Sequence, residues 1–465
     1  MAALAMTAAA QGVDPASYAA KEGYQLENLW LMSAGNGENG VAMGDWAELT
    51  THMGNAGKAT MATILGDKVY IACSQSYVDA VDDNGQPYQA LDHVGHLVVL
   101  DAATGKFEKE LALTLDGARY EGLLCCNSIG HDNFGHLWTC GYVDPTYDDA
   151  TNVAKPMKLY MIDPETGAMK LVNAFELDEI EGPGHGARVD YYDVIGDLTG
   201  EQARAVFMAC PNGINFTYAW ALEQGATEWG MQPDEYICVQ ALDTDPANQT
   251  AWNYSPMVSI VADDEFNGDM YYVDGHTTRP ALYDREGEMV ESLAGFQELE
   301  EWEEFMPNLQ ANGVRQMRLN GVDFLGYAVK FPDDKDMGGQ IALIKLDENG
   351  STENAVPMWT MPEGKLGIRK GEGRFSHTID FTPEYTDASG KHAINILIYK
   401  DMNGVGLYRL AEEGFQAGIN DVIADSDANA PVEYFNLNGV RVQGELVPGL
   451  YITRQGNNVN KVVVK

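Results

Sequence analysis

The sequence predicts an all-β chain, a six-bladed β-propeller followed by a small β-sandwich-like C-terminal domain. Three observations carry this. Long amphipathic helical patterns are nearly absent, a strand–Asp–turn–Gly–strand unit recurs about every sixty residues, and a polar linker separates that array from a strand-rich tail.

The repeat is clearest as HLVVLD-AATGK-FEKELAL around Asp101 and Gly105, and as KLYMID-PETGA-MKLVNAF around Asp163 and Gly167. Weaker copies end at Asp243, Asp284, Asp347 and Leu410, with Gly287, Gly350 and Gly414 following the last three. The physical reason is a hairpin: Asp caps the turn with its side chain, and Gly supplies the positive φ at which the chain reverses. A spacing a little over sixty residues with four strands per unit is that of a propeller blade.

The blades fall near 60–113, 120–177, 186–254, 256–296, 312–361 and 374–411. The sixth shows only three clear strands, RFSHTIDF, HAINILIYKD and VGLYRLA, while NLWLMS (28–33) stands alone near the N-terminus. Unpaired sheet edges invite aggregation, so residues 28–33 are expected to supply the missing outer strand and close the ring. The propeller then spans 24–414, with a linker over 415–431 and the C-terminal domain over 432–465. The acidic, aromatic run FQELEEWEEF (296–305) reads as a short amphipathic helix on a connecting loop.

Composition narrows function. The chain of 465 residues is 45% hydrophobic, enough for a large core, and its 70 acidic and 29 basic residues give a net charge of −41. A field of that sign repels phosphate backbones, which argues against nucleic acid as a partner. The opening MAALAMTAAAQ is apolar and ends in small residues, so residues 1–11 read as the remnant of a signal peptide. No later apolar run is long enough for a transmembrane helix. Cys73, Cys125, Cys126, Cys140, Cys210 and Cys238 are sparse and mostly sit in apolar strand-like runs, which suits buried structural thiols better than a zinc or redox motif.

Residues 417–465 carry VEYFNLNG (432–439), PGLYI (448–452) and VNKVVVK (459–465). In order and position these resemble the C-terminal sorting domain of the type IX secretion system, found on secreted Bacteroidetes proteins. The resemblance implies engagement of secretion machinery, export across the outer membrane, and surface attachment or release. The Asp-x-x-Thr-Gly turns at 101–105 and 163–167 loosely resemble quinoprotein and YVTN-type propeller repeats. The Trp that the quinoprotein pattern places after the Gly is missing here, a departure that puts quinone-cofactor binding in doubt.

No contiguous catalytic signature is present. GNGENG (35–40) matches GxGxxG, but no βαβ unit surrounds it, and HExxH, GxSxG and Walker motifs are missing. A propeller site would instead be assembled from loops of several blades. His185 and Arg188, His276 and Arg279, and Arg374 and His377 repeat one residue pairing, and His131 opens the second blade region. If these converge, Arg could clamp a carboxylate and His could move a proton. The densest acidic loop, Asp263, Asp264, Glu265, Asn267 and Asp269, offers oxygen ligands for a calcium ion, although such residues also simply favour turns. Asp425-x-Asp427-x-Asn429 begins like an EF-hand loop but lacks its Gly and its Glu. The eight Trp residues are expected mainly in the core.

The leading expectation is a secreted or surface propeller that binds a glycan or protein ligand. The alternative is a secreted lyase or hydrolase acting on acidic glycans at the channel mouth, and a third reading is a purely structural component of a surface assembly.

Overall fold

The computed structural model describes residues 14, 17–34, 45–54, 59–81, 85–92, 94–122, 128–144, 146–148, 151, 153–177, 187–212, 216–231, 238–239, 256–275, 278–293, 300–305, 313–329, 340–364, 366–367, 377–417, 433–435, 449–455 and 458–464. Within them lie six blades, each built on four antiparallel strands, with short extra strands added to the sheets of blades two, three and six. Blade one is Met61–Leu65, Lys68–Cys73, His96–Asp101 and Phe107–Ala112, close to the strands the sequence predicts. Blades two to five begin with the inner strands Ser128–His131, Val189–Gly196, Met257–Ile260 and Val314–Leu319. Each inner strand lies against those of the two flanking blades, and the sixth returns to the first, so the ring is closed.

Closure is made by Tyr24–Ser33, which pairs antiparallel with Gly404–Glu412 as the outermost strand of blade six. The expected strand at 28–33 therefore exists and is longer. Trp30 fastens it to the first blade: its Nε1 donates to the Ala102 carbonyl at 2.7 Å.

Six apolar clusters coincide with the six seams between blades. The seam of blades six and one, for example, packs Leu397, Tyr399 and Leu407 against Ile64, Ile71 and Val98. Seam packing is what holds a ring of otherwise separate sheets together. Trp46, Trp138, Trp220, Trp302 and Trp359 are all buried, as expected. Cys73, Cys140 and Cys210 are buried free thiols. The run 296–305 contributes the 3-10 helix Glu300–Phe305, whose Trp302 and Phe305 join the seam of blades four and five.

The recurring Asp turns form as the sequence requires. Asp101 Oδ1 accepts from the Thr104 N–H at 2.8 Å, and Asp163 Oδ1 accepts from the Thr166 N–H at 2.9 Å. Gly167 does more than turn the chain. It has φ +72°, and a Cβ there would lie 2.3 Å from the Ala112 carbonyl of blade one. Gly167→Ala combines a left-handed backbone with a clash against another blade, and is expected to cost about 2–4 kcal/mol, measured by urea denaturation.

The tail forms a three-stranded antiparallel sheet of Glu433–Phe435, Gly449–Gln455 and Asn458–Val464. Residues 1–11, most of the linker and the GNGENG segment lie outside the described residues. No helix among the described residues is long and apolar enough to cross a membrane.

Candidate functional site: a charge-paired propeller channel

An inner strand has a sheet partner on one side only, so its other backbone edge faces the channel. Those N–H groups need acceptors, and side chains of the preceding blade supply them. Ser128 Oγ of blade two accepts from the Tyr192 N–H of blade three at 2.9 Å. Thr378 Oγ1 of blade six accepts from the Ala62 N–H of blade one at 3.1 Å. Two carboxylates do the same: Asp380 accepts from Ile64 N–H at 2.9 Å, and Asp193 accepts from Ile260 N–H at 2.7 Å.

Each carboxylate also meets a cation. His131 Nε2 lies 3.5 Å from Asp380 Oδ1, and Arg315 donates to Asp193 Oδ2 at 2.8 Å. Thr63 Oγ1 donates to Asp380 at 2.6 Å, and Arg315 reaches Ser259 Oγ at 3.3 Å. The two halves match after a shift of three blades. Asp380, Ile64 and His131 lie on blades six, one and two; Asp193, Ile260 and Arg315 lie on blades three, four and five. The inner strands of blades one and four carry matching residues, Met61-Ala62-Thr63-Ile64 and Met257-Val258-Ser259-Ile260. The channel thus has an approximate two-fold axis in its chemistry.

The electrostatics follow from this pairing. Burial works against a charge on His131, but the Asp380 charge outweighs it and lifts the imidazole to about 9. Burial would raise Asp380, yet His131, Arg315 and Thr63 hold it down at about 2. Asp193 is pushed above the usual carboxylate range, burial outweighing the guanidinium beside it. With both pairs charged, the belt is close to neutral. His131, Asp193, Ser259, Arg315, Asp380 and Trp138 share the lining of a cavity of about 60 Å³ with the channel ends of their neighbours.

Of the residues singled out from sequence, His131 and His377 both line this cavity. Arg188 lies just before the inner strand of blade three, paired through two hydrogen bonds of 2.8 and 2.7 Å with Asp190 and placed over the Tyr142 ring. Arg279 sits on the third strand of blade four, Thr278–Asp284, and does not line this cavity. His185, His276 and Arg374 lie outside the described residues. Arg315, Asp193, Asp380 and Trp138 were not singled out. For Asp193 and Asp380 the signal was a carboxylate inside a largely apolar first strand, as in YYDVIG (191–196) and HTIDF (377–381).

The acidic loop 263–269 closes as a turn in which Asp263 accepts the backbone N–H groups of Glu265 and Asn267. Asp269 faces the Arg285 guanidinium at 3.2 Å. A second cluster, Asp132, His136 and Asp197, brings potential ligand atoms together on blades two and three. Its carboxylate oxygens are committed to backbone: Asp132 accepts from the N–H groups of Phe134, His136 and Leu198, and Asp197 from those of Thr199 and Gln202. That cluster ties one blade's turn to the next.

Fold and channel together define a six-bladed β-propeller with a charge-paired channel. No protein-family profile matches the chain, and no curated protein sequence does. Solved structures similar to it include a protein of unknown function from Dyadobacter fermentans, at 12% identity and a TM-score of 0.42 over 78% of this chain and 97% of that one. The polysaccharide lyase Uly1 is similar at 10% identity and a TM-score of 0.33, over 78% of this chain and 92% of that one. A β-1,3-galactosidase of glycoside hydrolase family 43 is similar at 10% identity and a TM-score of 0.32, over 71% and 95% of the two chains. The activities in those names belong to those proteins.

Proposed function

We propose that this chain is a secreted or cell-surface propeller that binds a glycan or protein ligand over its channel and does not turn it over. The observation that carries this reading is the commitment of the channel's charged groups. Asp193 and Asp380 each hold a cation and a backbone N–H of the next blade, which makes them parts of the ring. General acid–base catalysis works best with a group titrating near the operating pH. His131, held near 9, stays protonated at neutral pH, and Asp380, held near 2, stays ionised. Neither is poised to exchange a proton with a substrate.

A cavity with hydrogen-bonding groups at the centre of a concave ring suits a ligand that inserts a small polar arm, which favours a glycan over a flat protein surface. The test is a glycan array probed with the full chain, followed by turnover measurements on every glycan retained. Binding without cleavage is expected, and released product from a retained glycan would overturn the non-catalytic reading.

The address rests on the tail. Its resemblance to the type IX sorting domain, together with the antiparallel sheet over 433–464, supports export and surface attachment or release. Removing 432–465 is expected to shift the protein from the surface or medium to the cell interior, read by fractionation. Unchanged fractionation would remove the sorting role.

A further inference from the structure

We propose that the channel cavity is a subsite for the hydroxymethyl arm of a neutral sugar, its hydroxyl seated between the Trp138 indole N–H and the channel carboxylates. This rests on the glycan reading above and narrows it.

The starting point is a donor with nothing to donate to. Trp138 is 2% exposed, and its Nε1 has no hydrogen-bond partner. Buried polar groups are nearly always paired, so an orphaned indole N–H is a feature that calls for an acceptor. The position of that N–H is set by Gly130, the cross-strand neighbour of Trp138. A Cβ on Gly130 would lie 2.6 Å from Trp138 Cζ2 and 3.1 Å from its Nε1, so the missing side chain is what lets this edge of the indole lie over the inner strand. Trp138 lines the same cavity as His131, Asp193 and Asp380.

The two-fold relation between the halves isolates the feature. The place of Gly130 and Trp138 is taken on blade five by Val314 and Tyr327. There the polar atom is satisfied, because Tyr327 OH donates to the Phe305 carbonyl at 2.7 Å. Of these two equivalent positions, the one on blade two keeps a donor without a partner.

Charge then selects the ligand. Two cations and two carboxylates line the cavity, so an inserted carboxylate would meet Asp193 and Asp380, and an inserted ammonium would meet Arg315 and His131. A hydroxyl both donates and accepts, and can face the indole N–H and a carboxylate together. A cavity of about 60 Å³ has room for a hydroxymethyl group. Met61 and Met257, the first residues of their inner strands, line the cavity and offer apolar surface to the ring beyond it. The overall charge of −41 disfavours acidic sugars further.

The experiment is calorimetric titration of the full chain with methyl glucoside, galactoside and mannoside, each beside its uronate and its own 6-deoxy form. At least one neutral glycoside is expected to bind, with its uronate or 6-deoxy partner at least about tenfold weaker. Trp138→Phe, which keeps a ring but removes the N–H, should weaken that neutral glycoside about three- to tenfold. Ser259→Val, which fills the cavity without removing a charge, should weaken it at least as much, and decides the matter if Trp138→Phe does not fold. Equal binding of neutral, uronate and 6-deoxy forms would overturn the inference, as would wild-type affinity in the folded variants. Failure of all these probes alongside a positive glycan array overturns this subsite and leaves the glycan reading standing. Failure of both sinks the two together.

Discussion

Replacing Asp380 with Ala is expected to destabilise the propeller by about 3–5 kcal/mol, the loss that follows when one partner of a buried pair is removed. The substitution strands His131 as a buried cation and leaves the Ile64 N–H and the Thr63 hydroxyl without their acceptor. Chemical denaturation measures it. Asp380→Asn separates the two contributions, because its amide oxygen still accepts from blade one while the charge is gone. The pH dependence gives an independent readout. His131 is held at about 9, above its ordinary value of 6.5, so its contribution is fully present below pH 6.5 and disappears as pH rises through 9. The stability gap between wild type and Asp380→Asn should therefore shrink by as much as about 3 kcal/mol across that window. A gap that stays constant from pH 6 to 10 would mean that the ion pair contributes nothing.

Deleting residues 1–33 is expected to abolish the soluble monomer. The deletion strips the outer strand from blade six, exposing the whole backbone edge of Gly404–Glu412 to other chains. It also removes Trp30 from the first blade and Leu26, fully buried, from the seam of blades five and six. A point variant grades the effect without removing the strand: Leu26→Ala should cost about 2–5 kcal/mol. Size-exclusion chromatography reads the deletion and urea denaturation the variant. A monomeric, cooperatively folding deletion product would show that ring closure does not depend on this strand.

The contrast between these variants and the binding variants shows what was legible in the chain. Hairpins were readable because their chemistry is local: Asp101 and Asp163 bind N–H groups two or three residues away, and Gly105 and Gly167 adopt positive φ within the same turn. The closing strand was readable because NLWLMS had no partner nearby while blade six lacked a strand. The channel was less so. His131 and His377 were noted for the recurrence of His and Arg, yet the same recurrence included Arg279, which does not line the cavity. Asp193 and Asp380 looked like stray charges in apolar strands. Their partners, Arg315 and His131, are more than a hundred residues away.

By itself, then, the sequence determined the strand period, the turn chemistry, the six blades, the closing strand and the strongly acidic surface. All of these follow from interactions between near neighbours or from composition. Only the tertiary structure decided which polar residues face one another across the channel and how their charges cancel. It also decided that Trp138 keeps a donor with no acceptor. The physical reason is that inner strands of different blades meet only when the ring closes. An orphaned or paired group in the channel is a property of that closure, invisible in any single blade.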